Sequence, residues 1–189
     1  MLLTVFAYIS DSTPLLLVFT ALEIISVAVM KQKADALTAA APDQGNPPDL
    51  WFGISEDALQ NWLDGIGEGG RPLYLASNAW DLTVYMWAYM LLSGALLYGQ
   101  CLKANPKLTP LSLIFAFAMM GDFIETILLR KATNAFPTPL APMLLKLMSL
   151  ANMAKWSIFV VGLVPLIGLA VKNRMSKNDE SITETAKTK

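Results

Sequence analysis

Charge is absent from two long stretches of this 189-residue chain, Leu82–Leu102 and Trp156–Val171, and a third, Leu108–Leu129, is apolar but for Asp122 and Glu125. A helix needs about 17–25 mainly apolar residues to cross a hydrocarbon core of roughly 30 Å. Within that core, backbone polar groups are satisfied only in a helix or a closed barrel. The segregation therefore predicts helices that span a bilayer, and it makes Asp122 and Glu125 costly unless they are partnered. Composition agrees: 15% of residues are charged and 54% apolar, whereas a soluble domain carries about 25% charge.

Four spans follow, over about residues 13–33, 72–102, 109–131 and 141–172. The fold class predicted is all-α: a polytopic four-transmembrane-helix bundle, one domain over 1–172, followed by a polar tail, 173–189, expected to be disordered. Asp11, Ser12 or Thr13 can cap the first span, and Pro14 suits its first turn. A wetter continuation through Ala34–Ala41 is compatible with its alanines. No basic region precedes Leu2–Ile9, so the first span is expected to be retained as an anchor rather than cleaved. The loop over 34–71 holds a short amphipathic helix. Ser55-Glu56-Asp57-Ala58 reads as its capped, acidic start, and Leu59, Trp62, Leu63 and Ile66 share one face. That helix is expected on the membrane surface or over the bundle, ended by Gly65, Gly67, Gly69 and Gly70. Pro165 and Gly162 are expected to bend the last span.

Each span carries a polar stripe, and four stripes escape lipid only by facing one another. The second has Tyr74, Asn78, Asp81, Tyr85 and Tyr89; the third has Asp122, Glu125 and Thr126; the fourth has Lys146, Ser149, Asn152 and Lys155; the first has Glu23 with Thr20 and Ser26. In a four-span chain, the second span begins on the side where the third ends and the fourth begins. Asp81, Asp122, Glu125, Lys146 and Lys155 therefore approach one membrane face, with Asp122 and Lys155 each roughly 10 Å inside it at about 1.5 Å per residue. The candidate site is Asp81, Tyr85, Asp122, Glu125, Asn152 and Lys155, with an Asp122–Lys155 or Glu125–Lys155 ion pair at its centre and the amphipathic helix placed as a lid. A buried ion pair can equally serve only to fix helix register. Likewise the tyrosines and tryptophans can mark an aromatic belt, and Lys146 can snorkel to the headgroups.

Several chemistries are excluded. The chain has no histidine, which removes histidine-based triads, zinc sites and haem ligation, and its single cysteine, Cys101, makes no internal disulfide or thiolate cluster. A net charge of -1 without a basic cluster argues against nucleic acid as a partner. Asp81, Asp122 and Glu125 suit a hard cation, but nearby lysines already offer neutralising charge, so neither a metal nor a cofactor is expected. Gly65-x-Gly67-x-Gly69-Gly70 lacks the strand and βαβ context of a phosphate loop.

Gly53–Tyr89 contains Ser55, Glu56, Asp57 and Ala58, then Gly67, Glu68, Gly70, Arg71 and Tyr74, then Asp81, Tyr85 and Tyr89. With Asp122, Glu125 and Lys155-Trp156 further on, this resembles a family of small four-span integral membrane proteins. The family pattern is roughly S-x-E-E-A, G-E-x-G-R-x-x-Y, D-x-x-Y-x-x-x-Y and D-x-x-E-N. Thr126 stands where that pattern has Asn. The resemblance covers about 53–169 and implies fold and topology rather than an activity. It also directs attention to Arg71, at the foot of the second span, as a partner of a buried acid, an interfacial anchor or a contact for a lipid phosphate.

Three roles fit these residues. The first is binding or passing a small ligand, ion or proton in the polar interior; four spans are few for a transporter protomer, which favours a homo-oligomer. The second is an enzyme acting on a lipid-like substrate, with Asp122 or Glu125 as acid or base and Tyr85 as hydrogen-bond donor. The third is an assembly subunit whose charges hold helices together. Membrane lipids and a small apolar or lipid-like ligand are the partners expected. Lysine and arginine placement slightly favours cytoplasmic termini.

Overall fold

The structure, a computed structural model, describes residues 1–187, with side-chain surroundings as far as Ser176. It is built of helices: α1 (Leu2–Ser10), α2 (Thr13–Ala40), α3 (Glu56–Gly65), α4 (Gly67–Trp80), α5 (Met86–Ala104), α6 (Ile114–Ala135) and α7 (Pro142–Lys187). A π-helical turn, Asp81–Tyr85, joins α4 to α5, and a 3-10 stretch, Pro106–Leu113, leads into α6. Four segments are long and apolar enough to cross a membrane: Thr13–Ala40, Gly67–Ala104, Pro106–Ala135 and Pro142–Ser176. The chain is thus an all-α, four-span membrane bundle.

The spans run longer than the hydropathy pattern alone indicates. Ser12 caps α2 by accepting a hydrogen bond from the Leu15 amide, and the helix continues through its alanine-rich end to Ala40. Gly69 and Gly70, expected to terminate the amphipathic helix, instead lie in the first turns of the second span. Only Gly67, at φ +64°, takes the left-handed conformation that breaks α3 from α4. Pro165 and Gly162 fall inside one continuous α7, which passes Lys172 and reaches Lys187. Of the tail expected to be disordered, residues 188–189 lie outside those described, as do the side chains beyond Ser176.

The amphipathic helix is packed over the bundle. Ser55 accepts from the Ala58 amide, and Leu59, Trp62 and Leu63 are buried with Leu128, Leu129 and Met148. The helix α1, unmarked in the sequence reading, runs alongside α5, with Phe6 on Gly94 and Ser10 beside Gly99. Helix α5 is central and packs on α1, α2, α6 and α7, while the most extensive interface joins α6 to α7. That interface is tight because Gly121 lets the backbone of α7 approach. By contrast, α2 packs on α1, α4 and α5, and among the described residues it makes no extensive interface with α6 or α7.

Gly121 provides the test of this packing. A Cβ there would stand 3.0 Å from the Ala151 carbonyl and 3.2 Å from Lys155 Cβ. Gly121→Val should therefore destabilise by about 1–3 kcal/mol, read as a lower unfolding midpoint in detergent. Gly69→Ala, with open space around its Cβ, should match or exceed the wild type, since Ala is the better helix former by about 1 kcal/mol.

Candidate functional site

The second span sets the register of the site. Tyr74 and Tyr89 are fifteen residues apart, so an unbroken α-helix at about 100° per residue would carry Tyr89 about 60° off the line of Tyr74. The π turn absorbs one residue, and Tyr74, Asn78, Asp81 and Tyr89 are all buried. Such turns are a recurrent feature of functional sites. Here the turn itself begins with Asp81 and ends with Tyr85.

Helices α6 and α7 meet on Lys155. Its Nζ lies 2.9 Å from Asp122 Oδ1 and 2.7 Å from Glu125 Oε2, so both ion pairs foreseen as alternatives form together. The remaining acceptor positions are also used. Asn152 Nδ2 donates to Glu125 Oε1 at 2.9 Å, and Tyr89 Oη donates to Asp122 Oδ2 at 3.3 Å. Thr126 donates its hydroxyl to Asp81 Oδ2 at 3.1 Å. Lys155 also sits 5.2 Å from the centre of the Trp156 ring. Asp122 and Glu125 are thereby each paired and hydrogen-bonded, as buried charge requires. Tyr85 stands slightly apart, stacked obliquely on Tyr89 with ring centres 5.5 Å apart.

The segment before α3 seals this group from one side. The Gly53 amide donates to Asn152 Oδ1 at 2.7 Å, and the Ile54 amide donates to Ser149 Oγ at 2.9 Å. Gly53 has φ +86°, a conformation that favours glycine, with Ser149 and Met153 directly below. The Trp156 indole donates to the Asp49 carbonyl at 3.2 Å, and Tyr74 Oη donates to Asp49 Oδ1 at 3.3 Å. The covering element is therefore the stretch from Asp49 to Ile54, with α3 packed beside it. Asp49 is the acid that sequence reasoning missed. It lies outside the spans in a loop, and only the prolines at 47 and 48, which set its 3-10 turn, hinted that it is held. Burial pushes its carboxyl above the ordinary 3.8; Lys155 opposes that shift and Asp122 adds to it.

A cavity of about 330 Å³ opens onto the group. Val27, Met30, Ala34 and Leu37 of α2 form one wall and Trp156 and Phe159 of α7 the other. Asp49, Asp81, Asp122 and Lys155 form its polar end, with Tyr74, Tyr85 and Tyr89 around them. It lies between α2 and α7, which make no extensive interface among the described residues.

Two residues singled out from sequence lie elsewhere. Arg71 donates to the Leu63 carbonyl at 3.1 Å and stacks 4.7 Å from the centre of the Phe136 ring, so it caps the end of α3 and holds it to the α6–α7 turn. No buried acid pairs with it among the described residues. Lys146 is exposed, because nine residues at about 100° each place it opposite Lys155 on the helix. Compared with family models, curated proteins and solved structures, the chain matches none.

Lys155→Met should cost about 3–5 kcal/mol in unfolding experiments, because it strands two buried carboxylates. Adding Asp122→Asn and Glu125→Gln should recover a large part of that loss. Asp49 carries a pH signature. Its folded value is raised, so the stability it contributes is complete below 3.8 and is lost as pH rises through the raised value. The unfolding midpoint of the wild type, measured relative to Asp49→Asn, should accordingly fall with rising pH; a pH-independent difference would contradict this.

Proposed function

We propose that this protein binds a small apolar or lipid-like amphiphile, taken up sideways from the bilayer between α2 and α7. The observation that carries this reading is the cavity of about 330 Å³, with apolar walls at the lipid side and a hydrogen-bonded charged group at its inner end. That volume lies at the lower end of the roughly 300–1,000 Å³ common for small-molecule sites. Such a shape matches a molecule with an apolar body and a polar head. Much of α2 and α7 is also free of protein contact: Leu17, Ile24, Val161 and Val164 are exposed, and lipid is their natural partner in a bilayer.

Binding is favoured over passage of an ion or proton by what lies beyond the charged group. The other half of the bundle is apolar packing around Phe6, Met86, Met90, Leu97, Cys101 and Phe115. A conduction path needs polar groups or water to continue to the far face. The charged group also supports the assembly reading, since it joins α6 to α7, but a register lock alone requires no cavity. Asp122 and Glu125 are both committed to Lys155, which favours holding a ligand over proton-transfer chemistry.

The test is a panel of twelve-carbon amphiphiles (amine, alcohol and carboxylate) titrated onto the purified full chain in non-ionic detergent. At least one should bind saturably. Ala34→Trp, which fills the cavity from an exposed position on α2, should weaken that binding about tenfold or more without lowering the unfolding midpoint. Absence of saturable binding across the panel, or equal binding by Ala34→Trp, would overturn the reading.

A further inference from the structure

We infer that the ligand carries a cationic head, a protonated amine, and that Asp81 is the carboxylate that pairs with it. This rests on the amphiphile-binding reading above and adds the sign of the charge. Three carboxylates, Asp49, Asp81 and Asp122, line the cavity with a single buried ammonium, that of Lys155, which Glu125 also contacts. Lys155 is shared between Asp122 and Glu125, so those two have their counter-ion. Among the described residues no lysine or arginine pairs with Asp81 or Asp49, and both line the cavity.

Asp81 is the more deeply placed of the two. It is 6% exposed, yet it forms part of the cavity wall. Its Oδ2 accepts from Thr126, while Oδ1 receives no hydrogen bond from any described residue. At the polar end of the cavity, Asp81 thus lacks a donor for one oxygen and a positive partner of its own among the described residues. A protonated amine supplies both. An alcohol supplies only a donor, and a carboxylate would add like charge.

The cavity lining points the same way. Tyr74, Tyr85, Tyr89, Trp156 and Phe159 surround its inner part, and aromatic faces attract ammonium groups through the ring quadrupole. The rim does not reverse this pattern. Lys31 is paired with Asp35 at 2.7 Å, leaving Lys33, near the loop-side end of α2, as the rim cation without an ion-pair partner among the described residues. Repulsion at that rim favours access from the lipid side, between Met30 and Phe159, rather than past the lysines.

The experiment compares dodecylamine, dodecanol and dodecanoate on the full chain in non-ionic detergent at neutral pH. Wild type should bind the amine at least about tenfold more tightly than the alcohol, and the carboxylate most weakly. Asp81→Asn should bring amine binding down to the level of the alcohol, and Asp81→Glu should restore the preference. Equal affinity for amine and alcohol, tightest binding of the carboxylate, or a preference that survives in Asp81→Asn would overturn the inference while leaving amphiphile binding intact. Absence of any saturable binding would instead remove the reading on which it rests. Should Asp81→Asn fail to fold, the wild-type ranking and Asp81→Glu still decide.

Discussion

Lys155 is the ammonium on which the interior of this bundle depends. It reaches Asp122 and Glu125 together, on the neighbouring helix, at the point where Gly121 allows the two backbones to come close. Removing Lys155 would leave two buried carboxylates without a counter-charge, and removing the acids would leave a buried ammonium without one. The close approach and the charge triad therefore require each other: a wider helix pair would lengthen both ion pairs, and an unpaired charge would push the helices apart. Asn152 and Tyr89 then complete the carboxylate shells from α7 and α5. Three spans are locked by one group. The first span is not part of that lock, which is why a cavity can exist beside it.

That difference between a locked core and a peripheral α2 gives the molecule two mechanical regimes. Helices α5, α6 and α7 pack closely, with Gly162 of α7 seating the Phe115 ring of α6 and Gly94 of α5 seating the Phe6 ring of α1. Along α2, only Ser26 and Leu37 are buried. A wall with so little buried area can shift at low cost, since the burial it would give up is small. The polar end of the cavity, by contrast, is held by ion pairs and hydrogen bonds among α5, α6 and α7. Such a division suits a site that admits a flexible apolar body and reads a fixed polar head.

The bundle was largely legible in the sequence because lipid imposes a coarse and strict rule: charge leaves the span or finds a partner. Asp122, Glu125 and Lys155 announced themselves by violating it, and the structure brings them together. Finer points depended on geometry that spacing alone does not reveal. Residues stepping by three along α7 drift about 60° per step, so Lys146 and Lys155, written as one stripe, end on opposite faces. The π turn at Asp81–Tyr85 leaves no composition signal, but it decides that Tyr89, rather than Tyr85, donates to Asp122. Asp49 was hidden by its place in a loop rich in Pro and polar residues, where an acid is ordinary. Gly67–Gly70 looked like a break, because glycine favours turns, yet only one of the run uses positive φ; Gly70 is buried within the helix beside Ile66 and Leu37.

The sealing loop connects these two regimes. Its contacts with α7 are made by backbone groups: the Gly53 and Ile54 amides and the Asp49 carbonyl engage Asn152, Ser149 and Trp156. Backbone contacts of this kind fix where the loop lies while leaving the Asp49 carboxylate turned towards Tyr74 and the cavity. Asn152 is the joint, because its Nδ2 holds Glu125 and its Oδ1 holds Gly53. Flipping that amide would break both bonds at once, so the charge triad and the loop order each other through one side chain. Among the described residues no side-chain hydrogen bond or ion pair ties α2 to α7 in the same way.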